Sequence, residues 1–305
     1  MSRAVVYESL GGPEVLELRE VPVPHPGPDE VRVRVTAAGL NPMDWMLSSM
    51  PAVADAFGLT RPSGFGYDLA GVIEEAGGQV TGFSAGDRVY GGALGRAVAD
   101  HAVLKPADGT LLHTPDAISD EVASTLYIAG RTADAALHAI GLGAGDTVLI
   151  GGASGGVGVI AVQLARLAGA TVIGTGSPGT FEFLRGLGAE PVAYGAGLAD
   201  RVRALAPRVT AATALVGTET IDAALALGVA PGRISAIAAG PNPPGGVRAT
   251  GGRDATPGAL ERITDAIAAG QLTVPIAATF PVEQIRDAVT LQQAGHVHGK
   301  VVVTL

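Results

Sequence analysis

The chain has 305 residues, of which 47% are apolar and 16% charged, so it can form two ordinary domains and is not an intrinsically disordered chain. Its net charge of −9 argues against a nucleic-acid partner, because such a partner requires a basic face. There is no cysteine, which excludes disulfide bonds and thiolate metal sites. The absence of a signal-peptide pattern or a long apolar run predicts a cytoplasmic protein that does not interact with membranes.

Short apolar stretches with partial alternation occupy the first third of the chain and predict β-strands, for example RAVVYES, EVRVRVTAAGL and LAGVIEEAG. Near Ser119 the pattern changes to apolar residues at helical spacing. From there to about Ala239 strands alternate with helices, which predicts a parallel sheet covered by helices on both faces. The terminal strand GKVVVTL follows two further helices. An α/β unit is therefore predicted to be inserted in a β-rich domain.

A glycine-rich turn lies between a predicted strand and a long helix, in VLIGGASGGVGVIAVQLARLAG. Ala153, Gly155 and Gly158 have the spacing of the dinucleotide-binding fingerprint, with Ala in the first position. Free N–H groups at a helix N-terminus favour a phosphate, and Gly158 would let the helix pack closely on the strand. The residues predicted to bind the pyrophosphate are Ser154, Gly155, Gly156, Val157 and Gly158.

The next predicted strand ends at Thr175-Gly176-Ser177-Pro178, without the Asp or Glu that binds the ribose 2′-hydroxyl of NAD. A 2′-phosphate would meet no repulsion there, and the hydroxyls of Thr175 and Ser177 could hydrogen-bond to it. NADPH is therefore the predicted cofactor, although the turn contains no Lys or Arg. The alternative interpretation is an ordinary turn at Ser177 and Pro178.

Seven motifs resemble, in order, those of the medium-chain dehydrogenase/reductase superfamily, in its zinc-free quinone oxidoreductase branch. They are AAGLNPMDW, GYDLAGVIEEAG, GDRVYG, AGRTADAAL, GGASGGVG, FLRGLGA and GKVVV. The resemblance implies an α/β fold with a Rossmann doubly wound parallel-sheet domain, residues 122–255, inserted in a β-rich GroES-like catalytic domain, residues 1–121 and 256–305. It also implies a homodimer formed through the edge strand of the cofactor domain, for which RISAIAAG is the candidate.

Zinc-dependent alcohol dehydrogenases of this superfamily hold a catalytic metal at positions that correspond here to Asn41, Tyr67 and Ile128. None is a preferred zinc ligand and the Ile cannot ligate at all, so no metal site is predicted. His296 and His298 are interpreted as surface residues. Without zinc to polarise an alcohol, the expected reaction is hydride transfer from NADPH to an electrophilic acceptor, a quinone or an α,β-unsaturated carbonyl compound.

The resemblance places Asn41 near the nicotinamide, where its amide can hydrogen-bond to a carbonyl oxygen or to the cofactor amide. Tyr67 could donate a hydrogen bond to a substrate carbonyl. Structural roles remain open for both, because Asn41 could only shape the turn before Pro42 and Tyr67 could pack beside Phe65. Further cofactor contacts are expected at Thr132, Tyr194, Val216 and Ala238.

Two other functions remain open. An enoyl-thioester reductase of fatty-acid or polyketide metabolism shares these motifs, but it needs an anchoring site for phosphopantetheine or CoA that the sequence does not identify. A non-catalytic NADPH-binding protein is the third possibility, because no indispensable catalytic residue is visible in the sequence.

Overall fold

The structure, a computed structural model, describes residues 1–240, 242–295 and 297–305. The strands are β1 (Ser2–Tyr7), β2 (Glu17–Val21), β3 (Val31–Leu40), β4 (Ser63–Gly64), β5 (Asp68–Ala76), β6 (Arg88–Gly92), β7 (His101–Leu104), β8 (Leu111–His113), β9 (Thr147–Gly151), β10 (Thr171–Gly176), β11 (Glu190–Ala193), β12 (Ala211–Ala214), β13 (Ile234–Ala236), β14 (Arg248–Ala249), β15 (Ile276–Pro281) and β16 (Lys300–Thr304). The α-helices are α1 (Pro42–Ser49), α2 (Pro51–Ala56), α3 (Asp120–Ala123), α4 (Leu126–Ala139), α5 (Gly158–Leu167), α6 (Phe181–Leu187), α7 (Leu198–Leu205), α8 (Glu219–Ala226), α9 (Ala259–Ala268) and α10 (Ile285–Gln293). Within these described ranges no helix is both long and apolar enough to cross a membrane.

The chain forms two compact units, one comprising Met1–Ile128 with Ile276–Leu305 and the other Ala129–Pro275. The sequence-based domain boundaries lie at 121/122 and 255/256. The segment after residue 255 is held to α4 by the carboxylate of Asp134, which accepts hydrogen bonds from Thr256 and Arg262. These contacts place α9 in the second unit.

Strands of the first unit form two sheets. One has the order β2-β1-β4, and the other has the order β15-β16-β3-β5-β6-β8, with β7 also paired to β3. In β3, Val31, Val33 and Val35 are buried while the side chains between them are half-buried or exposed, so the two-residue period sets which face packs on the core. The start of β16 lies beside the end of β3, where Val301 pairs with Leu40.

The second unit has one parallel sheet with the order β11-β10-β9-β12-β13-β14. In chain order this is 3-2-1-4-5-6, the strand order of the Rossmann fold, and it confirms the predicted parallel sheet. Buried Leu149, Ile173 and Ile234, from three of its strands, share a core with Ile221 of α8. The order reverses between β9 and β12, and in such sheets ligands bind outside the carboxyl ends of the strands at this point.

The prediction that RISAIAAG supplies the edge strand was wrong. This segment forms β13, whose residues are buried and which lies between β12 and β14. After β13 the chain returns and adds β14 as a further parallel strand, with Ser235 opposite Arg248 and Ala236 opposite Ala249. The exposed pair Arg248–Ala249 therefore forms the edge of this sheet.

Candidate functional site

The glycine turn joins the end of β9 to the start of α5. Gly152 has a φ of +72°, which only glycine adopts without strain, and its N–H donates to the hydroxyl of Thr175 at 3.0 Å. A Cβ on Gly158 would lie 2.2 Å from the carbonyl oxygen of Gly152, so close packing of the start of α5 on the turn requires glycine here. A Cβ on Gly155 would meet that oxygen only at 3.5 Å, an ordinary contact. Gly158 is therefore required by the protein's own packing, and Gly155 is not.

Four predicted cofactor residues follow directly after the strands of the parallel sheet. Ser177, Tyr194, Val216 and Ala238 come after β10, β11, β12 and β13 respectively, so they share one edge of the sheet with the glycine turn. Tyr194 is 53% exposed and Val216 is 67% exposed. Val216 lies against the turn, because its Cγ2 would be 2.9 Å from a Cβ on Gly152. The strand ends thus form an exposed, partly apolar surface around the turn.

Two other predicted cofactor residues are buried. Thr175 is 5% exposed and its hydroxyl oxygen accepts the hydrogen bond from Gly152, so it braces the turn. Thr132 in α4 is 6% exposed, and its hydroxyl oxygen would be 3.5 Å from a Cβ on Gly252. Thr132 therefore lies beside the segment that follows β14.

Arg201 of α7 is a cation that the sequence analysis did not single out. Its guanidinium donates three hydrogen bonds, at 2.7–3.0 Å, to main-chain oxygens of the loop that carries Tyr194, those of Ala193, Gly195 and Ala196. The carboxylate of Glu219 accepts a hydrogen bond from the main-chain N–H of Gly195. The Tyr194 loop is thus braced by one cation and one carboxylate. Arg201 lies eight residues after the end of β11, and the local sequence does not indicate that it bonds to this loop.

A buried polar cluster in the first unit surrounds Asn41. Asn41, Asp44, Asp68 and Lys300 are each at most 3% exposed. They come together because the end of β3 lies between the starts of β5 and β16. The ammonium of Lys300 donates to Asn41 Oδ1 at 2.6 Å, and Asp44 Oδ2 accepts from the N–H of Asn41 at 2.7 Å.

The charges of this cluster perturb one another. Burial raises the pKa of Asp44 to about 7, and the negative charge of Asp68 acts in the same direction. The hydrogen bond from Asn41 and the charge of Lys300 oppose that rise. Burial lowers the pKa of Lys300, against the attraction of the Asp68 and Asp44 carboxylates. In the sequence, Lys300 stood out only as part of the motif GKVVV, although a lysine at the start of an otherwise apolar strand was the available signal.

Tyr67 packs on another aromatic ring. Its ring stacks on that of Tyr127, with the centroids 5.9 Å apart and the planes at 16°. A Cβ on Gly92 would lie within 2.7 Å of both rings, so the small residue makes room for the stack. Phe65, the expected neighbour, is buried in a core cluster that does not include Tyr67.

Two sequence families match the chain, the alcohol dehydrogenase GroES-like domain over residues 27–107 and the zinc-binding dehydrogenase family over residues 187–303. Two solved structures match it over nearly its whole length. That of a mycobacterial protein complexed with NADPH is 28% identical, covers 100% of both chains and has a TM-score of 0.87. That of CurK enoyl reductase is 27% identical, covers 99% of each chain and has a TM-score of 0.87.

Its sequence families and its structural neighbours are those of the medium-chain dehydrogenase/reductase superfamily. The predicted GroES-like and Rossmann architecture is confirmed. A quinone oxidoreductase of Pseudomonas aeruginosa is 42% identical to this chain over 178 residues, which are 57% of this chain and 53% of the relative. The chain thus spans about half the length of this curated relative.

The three residues at the positions that hold zinc in the superfamily's alcohol dehydrogenases make other contacts in this structure. Asn41 is buried and bonded to Lys300, Tyr67 is stacked, and the main-chain N–H of Ile128 donates to Asp68 at 3.1 Å. Among the described residues, no group of three or more His, Asp and Glu side chains is arranged to hold a metal ion. His298 is half-buried, and His296 lies outside the described residues.

Proposed function

We propose that this protein is an NADPH-dependent, zinc-independent medium-chain reductase that transfers hydride to a quinone or an α,β-unsaturated carbonyl compound. The observation that carries the proposal is the surface at the carboxyl ends of the parallel strands, where the turn before α5 shares one edge of the sheet with the exposed Tyr194 and Val216. The NADPH complex of the 28% identical structure supports the cofactor, and the Pseudomonas quinone oxidoreductase supports the acceptor.

The residues of the turn fit a dinucleotide. Main-chain N–H groups of residues 156–158 would bind the pyrophosphate, while the N–H of Gly155 donates to the carbonyl oxygen of Gly152 at 3.2 Å. A Cβ is absent at Gly155, so the backbone there is open to approach. Tyr194, Val216 and Ala238 would contact the nucleosides. The hydroxyl of Ser177 and that of Thr175, which still has its own hydrogen to donate, would serve the 2′-phosphate. Arg201 supplies the positive charge that the Ser177 turn lacks, because β10 and β11 are neighbours in the sheet.

When bound, NADPH supplies the hydride. Asn41 and Tyr67 are the proposed hydrogen-bond donors to the oxygen of the acceptor, where negative charge builds up during reduction. Asn41 can alternatively bond to the cofactor amide, as Thr132 can at the nicotinamide end. The proton that completes the reduction comes from water or a weak acid. Unchanged turnover in Tyr67→Phe would remove Tyr67 from this role.

Cofactor titration tests the first half of the proposal. Calorimetry should show tighter binding of NADPH than NADH, and Arg201→Gln should reduce that preference about tenfold, since one charge near a phosphate accounts for roughly 1–2 kcal/mol. Arg203→Gln is the matched control, because Arg203 lies on the same helix and pairs with Asp200 at the surface. Tighter binding of NADH by the wild-type protein would refute the cofactor assignment.

Acceptor assays test the second half. NADPH absorbance followed with quinones, enones, 2-alkenals and enoyl-CoA esters should show turnover of quinones or enones. NADPH binding without turnover of any of them would favour a non-catalytic NADPH-binding protein.

The second candidate is an enoyl-thioester reductase. The 27% identical CurK enoyl reductase structure, which matches this chain over 99% of its length, is the observation that favours it. Turnover of enoyl-CoA esters alone in the same assay would replace the leading proposal by this one.

A further inference from the structure

Lys300 is a buried lysine to which the proposed function assigns no role. It is 3% exposed, and its ammonium donates to the carbonyl oxygen of Leu40 at 2.9 Å and to Asn41 Oδ1 at 2.6 Å. The chain has two lysines, and the other, Lys105, is 43% exposed in a surface ion pair with Asp29. Burying an ammonium costs desolvation free energy that an apolar side chain of the same size would not cost, so a specific role for Lys300 is expected.

The side chain of Asn41 does not do what an asparagine at its position normally does. Asn41 is the N-cap of α1, where the side-chain oxygen usually accepts a hydrogen bond from the first turn of the helix. Here it makes no such bond, and the N–H of Asp44 donates instead to the main-chain oxygen of Asn41 at 3.0 Å. The amide oxygen accepts the hydrogen bond from Lys300 instead.

This bond fixes which way the amide points. An ammonium has three donors and no acceptor, so only the oxygen of the Asn41 amide can face it. The amide nitrogen therefore faces away from Lys300, with Gly39 O at 3.4 Å from it. One of its two hydrogens can point at that oxygen, and the other remains for a ligand. The positive charge of the ammonium beside the oxygen also polarises the amide, which makes its N–H groups stronger donors.

We propose that Lys300 is a positioning residue that holds the Asn41 carboxamide as a pure hydrogen-bond donor, so that Asn41 can meet only an acceptor atom such as a substrate carbonyl oxygen. This inference rests on the proposed function for the ligand that Asn41 meets. It removes the alternative in which Asn41 accepts a hydrogen bond from a cofactor or substrate N–H.

A double-mutant cycle tests the coupling. Lys300→Met should lower kcat about tenfold and Asn41→Ala about 10- to 100-fold, while NADPH affinity changes less than twofold in both. The double variant should be no slower than Asn41→Ala, because Lys300 acts through that amide. The proposal is overturned if Lys300→Met lowers kcat by the same factor in Asn41→Ala as it does in the wild type. It is also overturned if Lys300→Met alone has the kcat of the wild type. Lys105→Met, which removes the other lysine, should match the wild type.

Asn41→Asp separates donation from the bond to Lys300. The aspartate keeps an oxygen for the ammonium but has no N–H, so kcat should fall as far as in Asn41→Ala. Retained turnover in Asn41→Asp overturns the proposal. This variant leaves Lys300 in place, so it decides the question even where Lys300→Met does not fold.

A binding readout separates this inference from the proposed function, because it needs no turnover. 4-Nitrophenol resembles a quinone in shape, and its phenolate form absorbs at longer wavelength. A donor-only amide should lower the pKa of the bound phenol, and Lys300→Met and Asn41→Asp should each raise it by at least about one unit. An unchanged pKa in both variants would contradict the role of Lys300, whereas a failure of all acceptors in the NADPH assay would contradict the proposed function alone.

Discussion

At the scale of single residues, the cluster around Asn41 combines two buried carboxylates with one buried ammonium. Asp44 is held in place by the N–H of Asn41. Burial is the main cause that raises the pKa of Asp44 to about 7, and the negative charge of Asp68 adds to it. An aspartate in the unfolded chain has a pKa of about 3.9. The folded protein therefore keeps a proton on Asp44 in a pH range where the unfolded chain has lost it.

Asp44→Asn should remove a pH dependence of stability. Because the folded pKa is raised, Asp44 lowers the free energy of unfolding as pH rises from about 4 to about 7, and the loss then stays constant. We expect the wild type to lose roughly 2 kcal/mol more than Asp44→Asn between pH 5 and pH 8, in urea unfolding at each pH. Asn keeps an oxygen for the N–H of Asn41. Parallel curves for the two proteins would show that Asp44 is already ionised at pH 5.

At the scale of elements, the glycine turn must allow close packing of α5 and must leave its backbone accessible to a phosphate. The fingerprint alone does not show which glycine serves which requirement. Gly158 is needed because the start of α5 packs against the main chain of Gly152 and Ala153 in the turn, whereas Gly155 has little around it and no positive φ. The two glycines should therefore respond differently to the same substitution.

Gly155→Ala should preserve folding and weaken NADPH binding at least about tenfold, since the new methyl group would occupy the approach to the pyrophosphate. Gly158→Ala should instead lower the free energy of unfolding by about 1–3 kcal/mol, because its Cβ would overlap the Gly152 carbonyl. Thermal melts and calorimetric titration measure the two effects.

Gly186→Ala is the control, because Gly186 lies at an exposed helix position with open space around it. This variant should raise the free energy of unfolding by about 0.5–1 kcal/mol without changing the affinity for NADPH. Equal loss of affinity and stability in both turn variants would contradict the separation.

At the scale of the whole molecule, the open edge of the parallel sheet is the natural place for a second copy. β14 is exposed at both of its residues, and an edge strand leaves main-chain groups free to pair with another chain. Thr250 directs its N–H to Ala236 of β13, so the N–H of Ala249 points to the outer side, because successive groups in a strand alternate.

We expect light scattering to give a dimer of about twice the 30.3 kDa chain mass. Ala249→Pro removes the outward N–H without removing the bond from Thr250, so it should shift the mass toward the monomer while the melting temperature of the dilute protein changes little. A wild-type monomer would refute the dimer prediction, and a dimeric Ala249→Pro would move the interface away from β14.

The sequence by itself determined the features that depend on local spacing. The positions of Gly155 and Gly158, the alternation of strands and helices after Ser119 and the unacidic end of β10 can all be read within about twenty residues, because a turn and its flanking elements obey local geometry. The parallel sheet and the superfamily followed from these patterns and their order. The choice of RISAIAAG as the edge failed, because strand order depends on where the chain returns after β13.

Only the tertiary structure decided how distant polar groups pair. Lys300 and Asn41 are 259 residues apart in sequence, and they meet because β16 adds beside the end of β3. Tyr67 stacks on Tyr127, and Arg201 bonds to the Tyr194 loop, for similar reasons of packing. A side chain's partner is set by which elements become neighbours, and no local pattern encodes that choice. Which atom of the Asn41 amide is free for a ligand was therefore fixed by the fold.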